Sequence, residues 1–182
     1  MLFRSGLIPP GVRWIRAAAT GFDPEACQVS TSTGDTLSYE VLVVATGIKL
    51  CWERIAGLPE ALGKNGITSN YRRDLLPYTW QTIQAFQGGT ALFTFPQTPI
   101  KCAGAPQKIM YLADDVFRRD PAVAERSTVI YATATPGIFA IPTFAEPLRQ
   151  VVARRGIQTC YQHTLREVRA ASREAEIGRA HV

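Results

Sequence analysis

Residues 90–162 alternate between short apolar runs and segments of helical periodicity, and this alternation limits the fold more than any other feature. It predicts, in chain order, a strand at Thr90–Phe95, a helix at Pro106–Arg119, a strand at Ser127–Ala134, a helix from the capping box Thr143–Glu146 to Gly156, and a strand at Ile157–Gln162. Strands that alternate with helices pair in parallel through right-handed crossovers. The sequence therefore predicts a Rossmann-like parallel βαβαβ lobe. The apolar face of its first helix is predicted to comprise Ile109, Leu112, Ala113, Val116 and Phe117.

The first 50 residues predict a different arrangement. Alternating patterns and a turn at Thr33–Asp35 indicate an antiparallel meander with strands at Arg13–Ala19, Ala26–Thr31 and Leu37–Thr46. The last of these strands is almost continuously apolar, which is typical of burial on both faces. Residues 51–89 then form a crossover segment that contains a helix at Tyr78–Gln87, with Trp80, Ile83 and Phe86 at helical spacing. The predicted fold class is therefore α/β.

Composition excludes several classes of protein. The 182 residues are 46% hydrophobic and carry a net charge of +5, which is typical of a globular chain. No apolar run approaches the ~20 residues of a membrane-spanning helix. The basic residues accompany no nucleic-acid-binding motif, so they favour a solvated surface and no nucleic-acid partner is predicted. The four cysteines stand too far apart for paired metal ligands, so no metal site is predicted: Cys27, Cys51, Cys102 and Cys160.

The third predicted strand ends in Ala45-Thr46-Gly47. Because Gly47 has no side chain, backbone and ligand can approach closely there. In flavoproteins with two dinucleotide-binding domains, this strand end lies against FAD. A buried strand followed by a turn accounts for the same residues, and the pattern alone leaves both interpretations open.

The loop after Phe95 carries the clearest chemical signal. A nicotinamide-dinucleotide site would require G-x-G-x-x-G there, yet the loop offers Gly104 alone. Instead, Cys102 precedes a predicted helix N-terminus, which carries a partial positive charge. Lys101 and Lys108 add positive charge, and all three features favour the thiolate, which is the nucleophilic form. The alternative is an inert, buried thiol.

Residues 100–112, Ile-Lys-Cys-Ala-Gly-Ala-Pro-Gln-Lys-Ile-Met-Tyr-Leu, resemble the active-site loop of sulfide:quinone oxidoreductases, in the branch found in animal mitochondria and some bacteria. Further segments resemble the family in the same order, so that the resemblance covers about residues 7 to 175: Trp14-Ile15, Tyr39–Gly47, Gly57–Pro59, Ser69–Tyr71 and Phe93–Pro96. The resemblance implies a flavoprotein of the flavin disulfide reductase-like superfamily.

The resemblance also implies a reaction and its participants. In the family, two cysteines form a sulfur-bridged redox pair beside FAD, and sulfide attacks the bridge. By this resemblance Cys102 bears the resulting persulfide, quinone receives two electrons through FAD, and a small thiol or sulfite accepts the sulfur. Thr46 and Gly47 are implied flavin neighbours, and the backbone of Ala19 is implied to touch the adenine.

Several family features have no counterpart in the sequence. The FAD fingerprint, the second redox cysteine and the quinone site are absent, and neither Cys51 nor Cys160 matches the second cysteine. We therefore expect a central fragment that is inactive alone. It would comprise a partial FAD-binding domain (residues 1–50), a crossover (51–89), a degenerate NAD-binding-like lobe (90–175) and a tail (176–182) that resembles sequencing-adapter read-through. The resemblance implies peripheral association with the mitochondrial inner membrane, or alternatively the bacterial inner membrane.

Two other functions stay open from the sequence. The same fold would suit an NADH:quinone oxidoreductase, although the loop after Phe95 lacks the required glycines. A non-catalytic module with a degenerate dinucleotide fold is the other alternative. We interpret His163 as a surface residue, and His181 as part of the tail.

Overall fold

Three short antiparallel strands lie in the first of the two compact units into which the chain divides, Met1–Gly47 and Ile48–Val182. The computed structural model describes residues 5–97 and 100–180; His181 lies outside this range. In sheet order, the strands are β1 (Ala19–Asp23), β2 (Gln28–Thr31) and β3 (Thr36–Ser38). Val29 of β2 lies opposite Leu37 of β3. The predicted antiparallel meander is confirmed, and a single 3₁₀ turn, Ser5–Leu7, precedes it among the described residues.

The first strand begins later than predicted. Residues 13–18 lie outside any strand, and β1 starts only at Ala19. The Ala18 N–H donates to Ser32 Oγ at 3.0 Å, and the Ser32 N–H donates back to the Ala18 carbonyl at 2.8 Å. This reciprocal pair ties the entry of β1 to the turn after β2.

The predicted buried strand to Thr46 is wrong. Strand β3 ends at Ser38, and Val41 and Val43 are 82% and 80% exposed. A strand forms only where a neighbour completes its hydrogen-bond ladder. Within the described part of this unit, no strand pairs with residues 40–47. Apolar composition alone therefore does not bury this segment.

Short helices open the second unit. They are a 3₁₀ turn at Trp52–Arg54, α1 (Leu58–Ala61), a 3₁₀ turn at Arg73–Leu75 and α2 (Leu76–Gln84). Helix α2 begins two residues before the predicted start and ends three before the predicted end. Of the three residues at helical spacing, Ile83 and Phe86 pack against the main core, Phe86 from beyond the end of α2, while Trp80 is 50% exposed.

The parallel lobe follows the predicted alternation closely. Its elements are β4 (Gly89–Phe95), α3 (Ala105–Phe117), a short α4 (Pro121–Glu125) that the sequence analysis missed, β5 (Ser127–Thr133), α5 (Pro142–Arg154) and β6 (Gln158–Tyr161). The three strands lie in the order β4-β5-β6 and both pairings are parallel. The predicted βαβαβ arrangement, and with it the α/β fold class, is confirmed.

The main core lies between the parallel sheet and its helices. Its buried members include Phe95, Met110, Phe117, Val129 and Tyr131. The predicted face of α3 is confirmed at Ala113 and Phe117, which are buried, and is wrong at Leu112, which is 65% exposed. The residues that α3 buries are Gln107, Met110, Ala113, Asp114 and Phe117. Two polar residues thus occupy the buried stripe of this helix.

Helix α5 starts without the predicted capping box. Its N-cap residue is Ile141, Pro142 occupies its first turn, and no side chain caps it. Glu146 instead accepts from Arg149 Nη2 at 2.7 Å and from Gln150 Nε2 at 3.3 Å. Proline suits the first helical position because its missing N–H has no partner there in any helix, and so the helix begins earlier than the capping pattern predicts.

A β-hairpin that the sequence analysis did not predict completes the second unit. It comprises β7 (His163–Arg169) and β8 (Glu174–Arg179), paired antiparallel. Most of β8 lies in residues 176–182, for which the sequence analysis predicts a tail and no strand. Gly57, with φ +72°, allows the chain before α1 to approach β7, because a Cβ there would lie 2.1 Å from the Val168 carbonyl oxygen.

Candidate functional site

The loop between β4 and α3 presents Cys102 to solvent. Strand β4 ends at the buried Phe95, and α3 begins at Ala105. Thr98 and Pro99, which belong to the predicted site loop, lie outside the described residues. Cys102 is an exposed free thiol three residues before the helix. Its sulfur is therefore accessible to a small nucleophile or electrophile, which excludes the buried-thiol alternative.

The turn after Cys102 leads directly into the first turn of α3. The Cys102 carbonyl accepts from the Ala105 N–H at 3.4 Å, and the Gly104 carbonyl accepts from the Lys108 N–H at 3.0 Å. Gly104 is the N-cap residue and has no side chain to cap the helix. The positive end of the helix dipole is thus left without a neutralising side chain, and its effect is greatest within the first turn.

Lys101 and Lys108 flank this turn. Both side chains are exposed, and neither forms an ion pair with another residue in the described ranges. Their ammonium groups are therefore available to an anion in solvent. The loop combines a thiol, a helix N-terminus and two cations, which suits the binding of a small anion such as hydrosulfide.

A polar cluster that the sequence analysis missed lies under the first turn of α3. Gln107 is 3% exposed, and its Nε2 donates to the Ile138 carbonyl at 2.6 Å. Its Oε1 accepts from the Tyr111 hydroxyl at 3.4 Å. The sequence feature that indicates burial of Gln107 is its spacing from Met110 and Asp114, which places all three residues on one face of the helix.

Tyr131 of β5 belongs to the same region. Its side chain is fully buried, and its hydroxyl has no hydrogen-bond partner among the described atoms. Burial raises the pKa of Tyr131 to about 12, although the neighbouring Thr133 and Gln107 side chains act to lower it. Neither of them meets the geometry of a hydrogen bond to the hydroxyl. Burial also raises the pKa of Tyr111 above its usual range. Both phenols therefore stay neutral at physiological pH and supply no charge to the cysteine loop.

The predicted FAD neighbours lie in the first unit. Ala19 is the exposed first residue of β1, while Thr46 and Gly47 are exposed and follow no strand. Gly47 has φ +82°, a conformation that favours glycine. The exposed backbone of these residues suits contact with a flat ligand. The described residues contain no glycine-rich strand-to-helix turn to cradle a diphosphate, so they fit only part of an FAD.

The remaining cysteines and His163 show no such setting. Cys51 and Cys27 are exposed, and Cys160 is half-buried in β6 opposite Ala132. The surface interpretation of His163 is wrong: it is half-buried at the start of β7, and its Nδ1 lies 2.6 Å from the Tyr161 carbonyl oxygen. The described ranges hold no group of three or more potential metal ligands. None of the helices described is both long and apolar enough to cross a bilayer.

Comparison with solved structures supports the fold. A chain in the Tetrahymena thermophila mitochondrial ATP synthase matches with a TM-score of 0.70 at 20% identity, over 90% of this chain and 44% of that chain. The sulfide:quinone oxidoreductase of Aquifex aeolicus matches with a TM-score of 0.64 at 19% identity, over 91% of this chain and 40% of that chain. These matches show that the mixed α/β fold, with an antiparallel sheet and a parallel β4-β5-β6 sheet, is shared with both chains.

Curated relatives match most of the chain. Mitochondrial sulfide:quinone oxidoreductase of Mus musculus is 41% identical over 169 residues, which cover 93% of this chain and 37% of that protein. The Dictyostelium discoideum protein of the same name is 38% identical over 169 residues, covering 92% of this chain and 37% of that protein. No protein-family model matches the sequence. The chain is a homologue of the mitochondrial sulfide:quinone oxidoreductases over most of its own length, and it spans about 37% of the length of these relatives.

Proposed function

We propose that this chain provides the cysteine-bearing part of an FAD-dependent sulfide:quinone oxidoreductase. The observation that carries the proposal is the exposed Cys102 at the N-terminus of α3, in the loop where a nicotinamide-binding lobe would hold a diphosphate. The homology to proteins named for sulfide and quinone supports these two substrates.

In the proposed reaction, Cys102 carries the sulfur. Hydrosulfide attacks the bridge between Cys102 and a second cysteine of the longer protein. A new sulfur–sulfur bond forms on Cys102, the bridge breaks, and the second cysteine leaves as a thiolate. In this step the bridge is the two-electron oxidant of sulfide. A small thiol or sulfite then removes the sulfur and returns Cys102 to its thiolate. The two cysteine thiolates re-form the bridge, and the two electrons that they release reduce one quinone to quinol with uptake of two protons.

The chain's own residues assist at two points. Lys101, Lys108 and the helix N-terminus attract the hydrosulfide anion and stabilise negative charge on Cys102. FAD, when bound, accepts the two electrons and passes them to quinone. Ala19 would touch its adenine through the backbone, and Thr46 and Gly47 would lie beside its flavin ring, while its diphosphate would be held by segments of the longer protein.

The proposal also assigns an organisation and a location. Residues 1–50 would belong to the FAD-binding domain and residues 90–175 to a degenerate NAD-binding-like lobe, joined by the crossover at 51–89. The names of the relatives support mitochondrial localisation, with peripheral association of the whole protein at the inner membrane.

Flavin bleaching in the full-length protein tests this proposal. Sulfide should bleach the absorbance of bound flavin, and NADH should not, since the loop after β4 lacks a nicotinamide-diphosphate cradle. Cys102→Ser should abolish bleaching by sulfide and leave the flavin bound, while Cys27→Ser, at another exposed cysteine, should change neither. Undiminished sulfide turnover by the Cys102→Ser protein would refute the role of Cys102. Bleaching by NADH would favour an NADH:quinone oxidoreductase.

A further inference from the structure

The buried side chain of Gln107 connects the cysteine loop to a second loop of the parallel lobe. Gln107 lies in the first turn of α3, five residues after Cys102. Its Nε2 donates to the carbonyl of Ile138, which lies in the segment between β5 and α5 and is 3% exposed. This hydrogen bond, 2.6 Å long, joins α3 directly to the segment between β5 and α5.

The segment that receives this hydrogen bond is itself held in place. Thr135 Oγ1 donates to the Gly137 carbonyl at 2.7 Å and lies 2.7 Å from Thr133 Oγ1. The Gln162 N–H donates to the Thr135 carbonyl at 3.0 Å. The carbonyl of Ile138 is therefore presented from a segment fixed by hydrogen bonds on both sides of Thr135.

On the other side, Gln107 is coupled to Cys102 through a short stretch of backbone. Ala103 packs against the main core, and the hydrogen bond from the Ala105 N–H fixes the Cys102 carbonyl. The helix dipole acts on the thiol only if the first turn keeps its position, because the effect falls off within one turn. A side chain that fixes this turn therefore controls how strongly the dipole acts on the sulfur.

We propose that Gln107 is a positioning residue for Cys102, which holds the first turn of α3 against Ile138 so that the thiol stays at the helix N-terminus. This inference rests on the proposed function, in which Cys102 is the reacting group, and it deepens that function by adding a residue that touches neither sulfide nor FAD.

Competitive alkylation of the 182-residue chain with iodoacetamide tests the inference. Mass spectrometry gives the rate at Cys102 relative to the exposed Cys27 of the same molecule. Gln107→Met keeps the shape and removes both hydrogen bonds, and should lower this ratio about twofold to fivefold, the effect typical of a lost helix-terminus interaction. Gln107→Glu should retain the ratio, because a buried carboxyl stays protonated and still donates. The matched control Gln150→Met, at an exposed glutamine of α5, should leave it unchanged.

Circular dichroism and thermal unfolding of each variant accompany the alkylation. Loss of fold would give both cysteines the same unfolded surroundings and bring the ratio to that of the denatured chain, whereas loss of positioning lowers the alkylation rate of Cys102 alone. If Gln107→Met does not fold, Thr135→Val decides, since it loosens the Ile138 segment without touching α3 and should lower the ratio in the same direction. An unchanged ratio in the deciding variant overturns the inference. A wild-type ratio near one would count against the proposed reactive Cys102 instead.

Discussion

Replacing Tyr131 by phenylalanine should stabilise the chain, and increasingly so at alkaline pH. The Tyr131 ring is fully buried in the main core, and its hydroxyl lacks a hydrogen-bond partner among the described atoms. A buried hydroxyl without a partner costs about 1–3 kcal/mol relative to a hydrated one. Tyr131→Phe keeps the ring and removes that group, so the free energy of unfolding at pH 7 should rise by about 1 kcal/mol.

The pH dependence gives the second magnitude. Burial raises the pKa of Tyr131 from an ordinary 10.0 to about 12. The folded state therefore keeps this proton at pH values where the unfolded state releases it, and folding stability falls as pH rises above 10. Between pH 9 and pH 11 this residue alone should lower the free energy of unfolding by about 1.4 kcal/mol, the value of one pKa unit. Phenylalanine has no proton to lose, so the variant should escape this decrease.

Urea unfolding monitored by circular dichroism at pH 7, 9 and 11 measures both effects. Other tyrosines and lysines titrate equally in the two proteins, so the difference between them isolates Tyr131. Tyr71→Phe is the matched control, because Tyr71 is 48% exposed and should show neither effect. Lower stability of Tyr131→Phe at pH 7 would show that the Tyr131 hydroxyl forms a stabilising hydrogen bond. An equal loss of stability in both proteins up to pH 11 would show that burial does not raise the pKa of Tyr131.

Two further substitutions test the packing of the second unit. Gly57→Ala should lower the free energy of unfolding by several kcal/mol, because the new Cβ would clash with the Val168 carbonyl oxygen at 2.1 Å in addition to the ~1–2 kcal/mol of a left-handed backbone. Gly156 has φ +64° and no heavy atom close to the position of a new Cβ, so Gly156→Ala should lose only the free energy of the left-handed backbone in thermal unfolding. Equal losses of stability at Gly57 and Gly156 would contradict the close approach of Gly57 to Val168. Asp114→Ala should cost about 1–3 kcal/mol in urea unfolding, because this 2%-exposed carboxylate accepts a hydrogen bond from Arg118 and one from Arg155, and the substitution removes both. Asp115→Ala, with a 59%-exposed side chain, should change stability by less than ~0.5 kcal/mol, and a comparable loss at both aspartates would show that burial is not the cause.

The parallel lobe was the most predictable part of the fold because its sequence carries two agreeing signals. Each strand is a short apolar run between turn residues, and each helix shows its own periodicity. Strand β4 begins one residue before the prediction, and β5 ends one residue before it. The parallel pairing follows from this alternation of strands and helices, whereas the order β4-β5-β6 is known only from the structure.

The hairpin of β7 and β8 escaped prediction because it is rich in charge. Arg169 forms ion pairs with Glu167, Glu174 and Glu176, so opposite charges across the strands take the place of an apolar alternation. At Val41 and Val43 the error is the opposite one: their apolar side chains predict a buried strand, yet both are exposed. Burial of a strand depends on distant neighbours, which a local pattern does not reveal.

The candidate site was predictable in its exposed part and not in its support. The position of Cys102 before a helix follows from the loop sequence and from Pro106 in the first turn. The role of Gln107 depends on the carbonyl of Ile138, 31 residues away in sequence. No local rule brings those two groups together, so the positioning of the cysteine emerged only from the tertiary structure.

The central claim is that Cys102 receives the sulfur of sulfide, and mass spectrometry of the full-length protein tests it most directly. The oxidised protein would be treated with sulfide, quenched with an alkylating reagent and digested. We expect the peptide containing Cys102 to carry one additional sulfur atom that a thiol reductant removes, and the peptides containing Cys27, Cys51 and Cys160 to carry none. Extra sulfur on another cysteine, with an unmodified Cys102 peptide, would contradict the account.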